Sequence, residues 1–183
     1  MGSGIEIYIS GVKWCKGALR VWHRMKEKVN KKTSMSRFRS RSEHSLDAKG
    51  RLNIPSRFRE VLREAYSESL IVTNWEKSLK AYPVAEWEIV EEKLVTEGRM
   101  QPGLVNFVRY VISGVTECSL DKQGRILLPG SLRSELGINK EVVLNGMLDH
   151  FEIWDKTAWQ NEVRRTKEDF PSFSEGLSSL GIL

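Results

Sequence analysis

Apolar positions in this chain switch repeatedly between a helical and a strand period. Phe58, Val61, Leu62 and Ala65 stand at i, i+3, i+4 and i+7, which predicts one helical stripe with Arg57, Arg59 and Arg63 mostly turned away from it. Residues 70–73 and 79–82 read as strands, and Val84, Trp87, Val90 and Leu94 then return to helical spacing. The alternation recurs: residues 125–128 read as a strand, Leu132 and Leu136 as a weaker helical stripe, residues 141–145 and 150–154 as strands, and Trp159 and Val163 as a last helical face. Between the two series, residues 98–103 contain Gly, Pro and Gln and read as a break, followed by an apolar stretch at 104–112 compatible with helix or strand. Residues 171–183 are dense in Ser and Gly without a periodic apolar face, which predicts a mobile tail; no function is assigned to it.

The recurrence is an internal repeat. Leu46-Asp47-Ala48-Lys49-Gly50-Arg51-Leu52-Asn53-Ile54-Pro55 returns 74 residues later as Leu120-Asp121-Lys122-Gln123-Gly124-Arg125-Ile126-Leu127-Leu128-Pro129. Arg59 matches Arg133 and Leu62 matches Leu136; at an offset of 72, Tyr82 faces Trp154 and Trp87 matches Trp159. Each copy reads as a strand, a tight turn in which Asp47 or Asp121 bonds nearby amides while Gly50 or Gly124 takes positive φ, a return strand, and a proline at the first turn of a helix. The recurring aromatics Trp75, Tyr82, Trp87, Trp154 and Trp159 are read as core packing rather than base-stacking groups.

Composition narrows the function classes. With 40% hydrophobic and 29% charged residues in 183, the chain can bury a core. No run of about 18 apolar residues suggests a membrane span, and no apolar signal region precedes a cleavage site. Cys15 and Cys118 lie far apart and His23, His44 and His150 are scattered, so a reducing cytoplasm and no structural metal are expected. The net charge of +5 is unevenly placed. Residues 1–34 alone carry +6, so nucleic-acid binding has to be argued from local clusters. One cluster lies at 35–63, where Arg37, Arg39, Arg41, Lys49, Arg51, Arg57, Arg59 and Arg63 outweigh Glu43, Asp47 and Glu60 by five charges.

These motifs resemble the MraZ family of bacterial regulators. The resemblance runs over about residues 35–165. It rests on the basic lead-in Arg39-Ser40-Arg41, His44-Ser45-Leu46-Asp47-Ala48-Lys49-Gly50-Arg51 with Pro55, Ser113-Gly114, the second copy from Asp121 to Pro129, and Phe151-Glu152-Ile153-Trp154-Asp155. It implies an α+β fold, mainly β with α: two tandem AbrB-like swapped-hairpin units of β-barrel type with flanking helices. The expected layout is a basic extension at 1–34, repeat 1 at 39–86, a helical linker at 87–112, repeat 2 at 113–158, and a C-terminal helix and tail at 159–183. It also implies a ring-shaped homo-oligomer that binds double-stranded DNA at direct repeats upstream of its own cell-division and cell-wall operon and represses or modulates transcription, in the cytoplasm and on the nucleoid. No cofactor, membrane or small-molecule substrate is implied.

On this reading Arg51 and Arg125 contact bases or phosphate, Lys49 and Lys122 contact phosphate, and Arg37, Arg39 and Arg41 contact flanking backbone. Asp47, Gly50, Asp121 and Gly124 build the turns. Gln123 stands where the first copy has Lys49, so the second turn is expected to contact DNA differently. Residues 1–34 precede the resemblance. A translation start at Met35 is expected there; the rival is a basic arm, with Trp14 and Trp22, that adds nonspecific affinity for DNA or an anionic membrane. No nucleophile or second acid accompanies His44, and no enzyme chemistry is assigned. The alternative from another class is an AbrB-like antitoxin-type module that binds a protein.

Overall fold

The computed structural model describes residues 7–9, 12–14, 37–96, 101 and 103–181. It divides into two compact units, residues 1–37 and 38–183. In the first, β1 (Ile7–Ile9) pairs antiparallel with β2 (Val12–Trp14). The remainder of the basic extension, including Cys15 and His23, and residues 98–100 and 102 of the expected break lie outside the described residues.

The second unit runs β3 (Arg41–Ser45), β4 (Arg51–Asn53), α1 (Ser56–Ala65), β5 (Ser69–Trp75), β6 (Ser78–Pro83), α2 (Val84–Thr96) and α3 (Leu104–Ser113). It continues with β7 (Thr116–Ser119), β8 (Arg125–Leu127), α4 (Gly130–Glu135), β9 (Glu141–Gly146), β10 (Phe151–Asp155) and α5 (Lys156–Glu168). A 3-10 turn (Phe170–Phe173) and α6 (Ser174–Ser179) complete it. The architecture is α+β, and its antiparallel sheets are open.

Local chemistry explains the boundaries. Pro55 and Pro129 hold extended ψ at the N-caps of α1 and α4, where a missing N–H costs nothing. Phe58, Val61 and Leu62 turn inward from α1. Asp155 caps α5 by accepting from the N–H groups of Thr157 (2.9 Å) and Ala158 (3.2 Å). The ambiguous stretch at 104–112 is helical, with Val108 and Val111 buried. The tail forms helical turns but leaves Phe170 and Leu180 exposed, because no apolar stripe there is long enough to bury.

The strands around the two turns pair across the sequence copies, whereas β5–β6 and β9–β10 are antiparallel hairpins within one copy. One six-stranded sheet has the order β3-β9-β10-β6-β5-β7, and β4 pairs with β8 as a separate ribbon. The strands flanking the first turn are joined only by the isolated bridge Leu46 to Leu52; β3 lies on β9, and β4 on β8, both from the second copy. In return β7 of the second copy lies on β5 of the first. The register is self-symmetric: Leu52 stands opposite its own equivalent Ile126, and Lys80 opposite its equivalent Glu152. A repeat that is tandem in sequence is therefore an approximate twofold in space.

The main core is shared accordingly. Leu46, Leu52, Ile54, Phe58 and Leu62 pack in one cluster with Ile126, Leu128, Leu132, Val142 and Ile153. Phe38 closes it, edge-on to Phe58 at 5.4 Å and tilted against Phe151 at 5.4 Å. A second cluster gathers Ile71, Tyr82, Trp87 and Val111 under α2 and α3. Tyr82, Trp87 and Trp154 are buried, Trp75 packs on the second cluster against Phe107, and Trp159 stands edge-on to Trp154.

Candidate nucleic-acid interface

Each Asp-x-x-Gly-Arg segment folds into a turn organised by its carboxylate. Asp47 Oδ1 accepts from the backbone N–H groups of Lys49 (2.9 Å) and Arg51 (2.9 Å), while Oδ2 accepts from Arg51 Nε at 2.6 Å. Gly50, at φ +80°, closes the turn with its N–H on Asp47 O. The second turn repeats this: Asp121 Oδ1 accepts from Gln123 N (2.8 Å) and Arg125 N (3.0 Å), and Oδ2 takes both Nε (2.9 Å) and Nη2 (2.7 Å) of Arg125. Gly124 sits at φ +75°. The Arg125 hydrogen bonds pull the Asp121 carboxyl down to about 2, and the Arg51 and Lys49 contacts lower that of Asp47. Both aspartates stay ionised and fix the guanidinium of their arginine.

The β4–β8 ribbon brings the two arginines together. Leu52 and Ile126 face the core at 0% exposure, so alternation puts Arg51, Asn53, Arg125 and Leu127 on the outer face. All four keep solvent access, Leu127 at 58%. Lys49, Lys122 and Gln123 are exposed at the turn tips.

Two further arginines, not assigned from sequence, complete the turns. Arg59 Nε donates to Ile54 O (3.1 Å), and a Cβ on Gly124 would meet Arg59 Cδ at 2.5 Å and Nη1 at 2.7 Å. Arg133 Nε donates to Leu128 O (3.2 Å) and lies over Gly50 in the same way but less tightly, a Cβ there meeting Nη2 at 2.9 Å. Each turn is thus covered by an arginine from the other copy. The available sequence signal was that Arg59 and Arg133 match across the repeat; helical phase alone had Arg59 turned mostly away. Around turn 1 stand Lys49, Arg51 and Arg133, and around turn 2 Lys122, Arg125 and Arg59. With Arg51 and Arg125 paired to their aspartates, the excess positive charge of this face comes from Lys49, Lys122, Arg59 and Arg133.

The other predicted cations are elsewhere. Arg37 ends the first compact unit. Arg39 is exposed on the lead-in to β3, which crosses close over Gly146 of β9. Arg41 lies at the end of β3 away from the turn, six residues and roughly 20 Å of extended chain from Asp47. Its guanidinium stacks 5.8 Å from the Trp159 ring, and its carbonyl accepts from Arg57 Nη2 at 2.9 Å.

His44 and His150 are each held by a neighbouring side chain. His44 Nε2 bonds Ser42 Oγ at 2.9 Å, and burial, reinforced by Arg57, lowers its pKa. His150 is buried, stacked on Tyr82 at 4.4 Å with Nδ1 on Asp149 Oδ1 at 2.7 Å. Cys118 is a buried free thiol, pushed up to about 11 by burial with Glu117 adding. Among the described residues no group of three or more His, Cys, Asp or Glu could hold a metal ion.

The same two-copy organisation is recorded in a protein family. The model described as "MraZ protein, putative antitoxin-like" matches residues 37–104 and again 111–175. The chain belongs to the MraZ family. The proteins named transcriptional regulator MraZ from Syntrophobacter fumaroxidans and Desulforapulum autotrophicum are 43% identical over 145 residues and 40% identical over 147 residues. Each alignment covers 79% of this chain, and 97% and 99% of the relative respectively. That of Pediococcus pentosaceus is 39% identical over 145 residues, covering 79% of this chain and 99% of its own length. The two MraZ stretches each contain one turn and one of the crossing arginines, so each basic cluster draws on both stretches.

Proposed function

We propose that this chain is a sequence-specific DNA-binding transcriptional regulator, a repressor that reads double-stranded DNA with the β4–β8 ribbon and its two turns. The observation that carries this reading is the pairing of β4 with β8, which sets two aspartate-oriented arginines on one exposed face. The major groove of B-DNA, about 12 Å wide, admits a two-stranded β-ribbon, and an oriented guanidinium can meet guanine O6 and N7 bidentately. Arg51 and Arg125 are the base-directed groups; Lys49, Lys122, Arg59 and Arg133 contact phosphate; Arg37, Arg39 and Arg41 serve flanking backbone beyond the ribbon.

The names of the relatives support a regulator of transcription. The family resemblance extends the reading to a ring-shaped homo-oligomer acting on direct repeats upstream of its own cell-division operon, in the cytoplasm and on the nucleoid. Assembly makes later contacts effectively intramolecular and raises avidity on repeated sites by about 10²-fold or more. Among the described residues no helix is long and apolar enough to cross a membrane. The reading calls for no cofactor, metal or catalytic step.

Fluorescence anisotropy of the full chain with a duplex from its own upstream region, against a scrambled duplex across a salt series, tests the proposal. Tight, salt-sensitive preference for the upstream duplex supports it. Equal weak binding to both duplexes overturns it and favours the antitoxin-type module, whose partner is a protein.

A further inference from the structure

We infer, building on the DNA-binding reading, that one chain reads an asymmetric DNA element made of two unlike halves in inverted arrangement, and that the asymmetry is written by Asn53 against Leu127 and by Ala48-Lys49 against Lys122-Gln123. The twofold that relates the halves is recorded at several independent places. Leu52 faces Ile126 in the ribbon and Lys80 faces Glu152 in the sheet, each against its own repeat equivalent. Ile54 N donates to Gly124 O, and Leu128 N donates to Gly50 O. Arg59 covers Gly124, and Arg133 covers Gly50. A surface with this symmetry is complementary to DNA half-sites of opposite polarity, whatever the order of larger units along the promoter.

The buried side of the ribbon keeps the symmetry, with an aliphatic side chain at Leu52 and at Ile126, both fully covered. The exposed side breaks it. Asn53 and Leu127 occupy equivalent outward positions flanked by Arg51 and Arg125. An outward asparagine pairs bidentately with adenine, whereas an aliphatic side chain fits the thymine methyl, so the two positions select different bases. At the tips, copy 1 offers Ala48 then Lys49 and copy 2 offers Lys122 then Gln123, all exposed. Six residues of ladder separate the equivalent tip positions Lys49 and Gln123, roughly 20 Å at 3.4 Å per residue, or about six base pairs of duplex. An element with unlike halves fixes the direction in which each chain sits on DNA, and a row of directly repeated elements needs that direction to be fixed.

The test is selection from a duplex library carrying ten randomised base pairs between fixed flanks, with the full chain and with Lys122→Ala/Gln123→Lys/Leu127→Asn. The three substitutions make the exposed surface of turn 2 and β8 identical to that of turn 1 and β4, and all three positions are exposed. The reciprocal Ala48→Lys/Lys49→Gln/Asn53→Leu variant, also at exposed positions, guards against a folding defect in the first. The native chain is expected to select a non-palindromic element. Each symmetrised variant is expected to select an inverted repeat of one native half, and its preference for that repeat over the native element shifts by roughly tenfold or more, the discrimination of one base-directed side chain. A palindrome selected by the native chain, or an unchanged element selected by both variants, overturns the inference while leaving DNA reading intact. No enrichment of any sequence by the native chain overturns both.

Discussion

Replacing Gly124 by alanine tests whether the two copies are interlocked. At φ +75° an alanine incurs about 1–2 kcal/mol for left-handed backbone. Its Cβ would also stand 2.5 Å from Arg59 Cδ, inside the length of a side chain pinned by its Nε bond to Ile54 O. Relief requires breaking that bond, worth a further 0.5–1.5 kcal/mol or so, for a total of about 2–3 kcal/mol. Gly50→Ala is the internal control. It has the same backbone cost at φ +80°, but its Cβ meets the guanidinium of Arg133 less tightly, Nη2 at 2.9 Å and Nε at 3.1 Å, a contact that a small shift relieves, so about 1–2 kcal/mol is expected. In urea, with m about 2 kcal/mol/M, the extra 1 kcal/mol lowers the Gly124→Ala midpoint by about 0.5 M relative to Gly50→Ala at unchanged m. Protein concentration must be held fixed, since assembly adds to apparent stability. In an Arg59→Ala background the Gly124→Ala cost should fall to the backbone component alone, a coupling of about 1 kcal/mol against additive scatter of about 0.3–0.5. Equal costs for the two glycines together with additivity between Gly124 and Arg59 would refute the crossing arginine.

Lys49→Ala should weaken binding to all duplexes alike and reduce the slope of log K against log salt by about 1, measured by anisotropy, because an exposed tip lysine carries charge rather than sequence information. The Asp121 carboxyl, lowered to about 2 from an ordinary 3.8, contributes stability that is present above pH 4 and lost as pH falls towards 2. Urea midpoints should therefore fall more steeply across that window in the native chain than in Asp121→Asn. Leu52→Ala removes a fully buried side chain facing Ile126 at the shared centre of both copies and should cost about 2–5 kcal/mol in the same assay.

Much of the fold was legible because period and punctuation agree. The Phe58 stripe, the strands near residues 70 and 80, and the proline-started helices were each declared by adjacent residues. The partners of the strands around the two turns were not. A tandem repeat carries no statement of whether its copies stack side by side or exchange strands; pairings such as Leu52 to Ile126 and His44 to Val142 reveal the exchange. The site was partly legible for the same reason. The Asp-x-x-Gly-Arg turns are local and were readable, whereas the arrival of Arg59 over Gly124 and of Arg133 over Gly50 depends on long-range pairing. Asn53 and Leu127 carried no signal, since they differ between the copies and come to share one exposed face only when β4 pairs with β8. Arg41 illustrates the converse: basic residues close in sequence to the turn are carried away from it by the length of β3.

Site-specific crosslinking tests the central claim most directly. A photoreactive label is placed on Asn53→Cys, and separately on Lys167→Cys near the end of α5, both in a Cys15→Ser background, with Cys118 protected by burial. Each labelled chain is irradiated with the upstream duplex. The ribbon account predicts base crosslinks from position 53, suppressed by Arg51→Ala, and none from position 167. Crosslinks from position 167 with none from position 53 would contradict it.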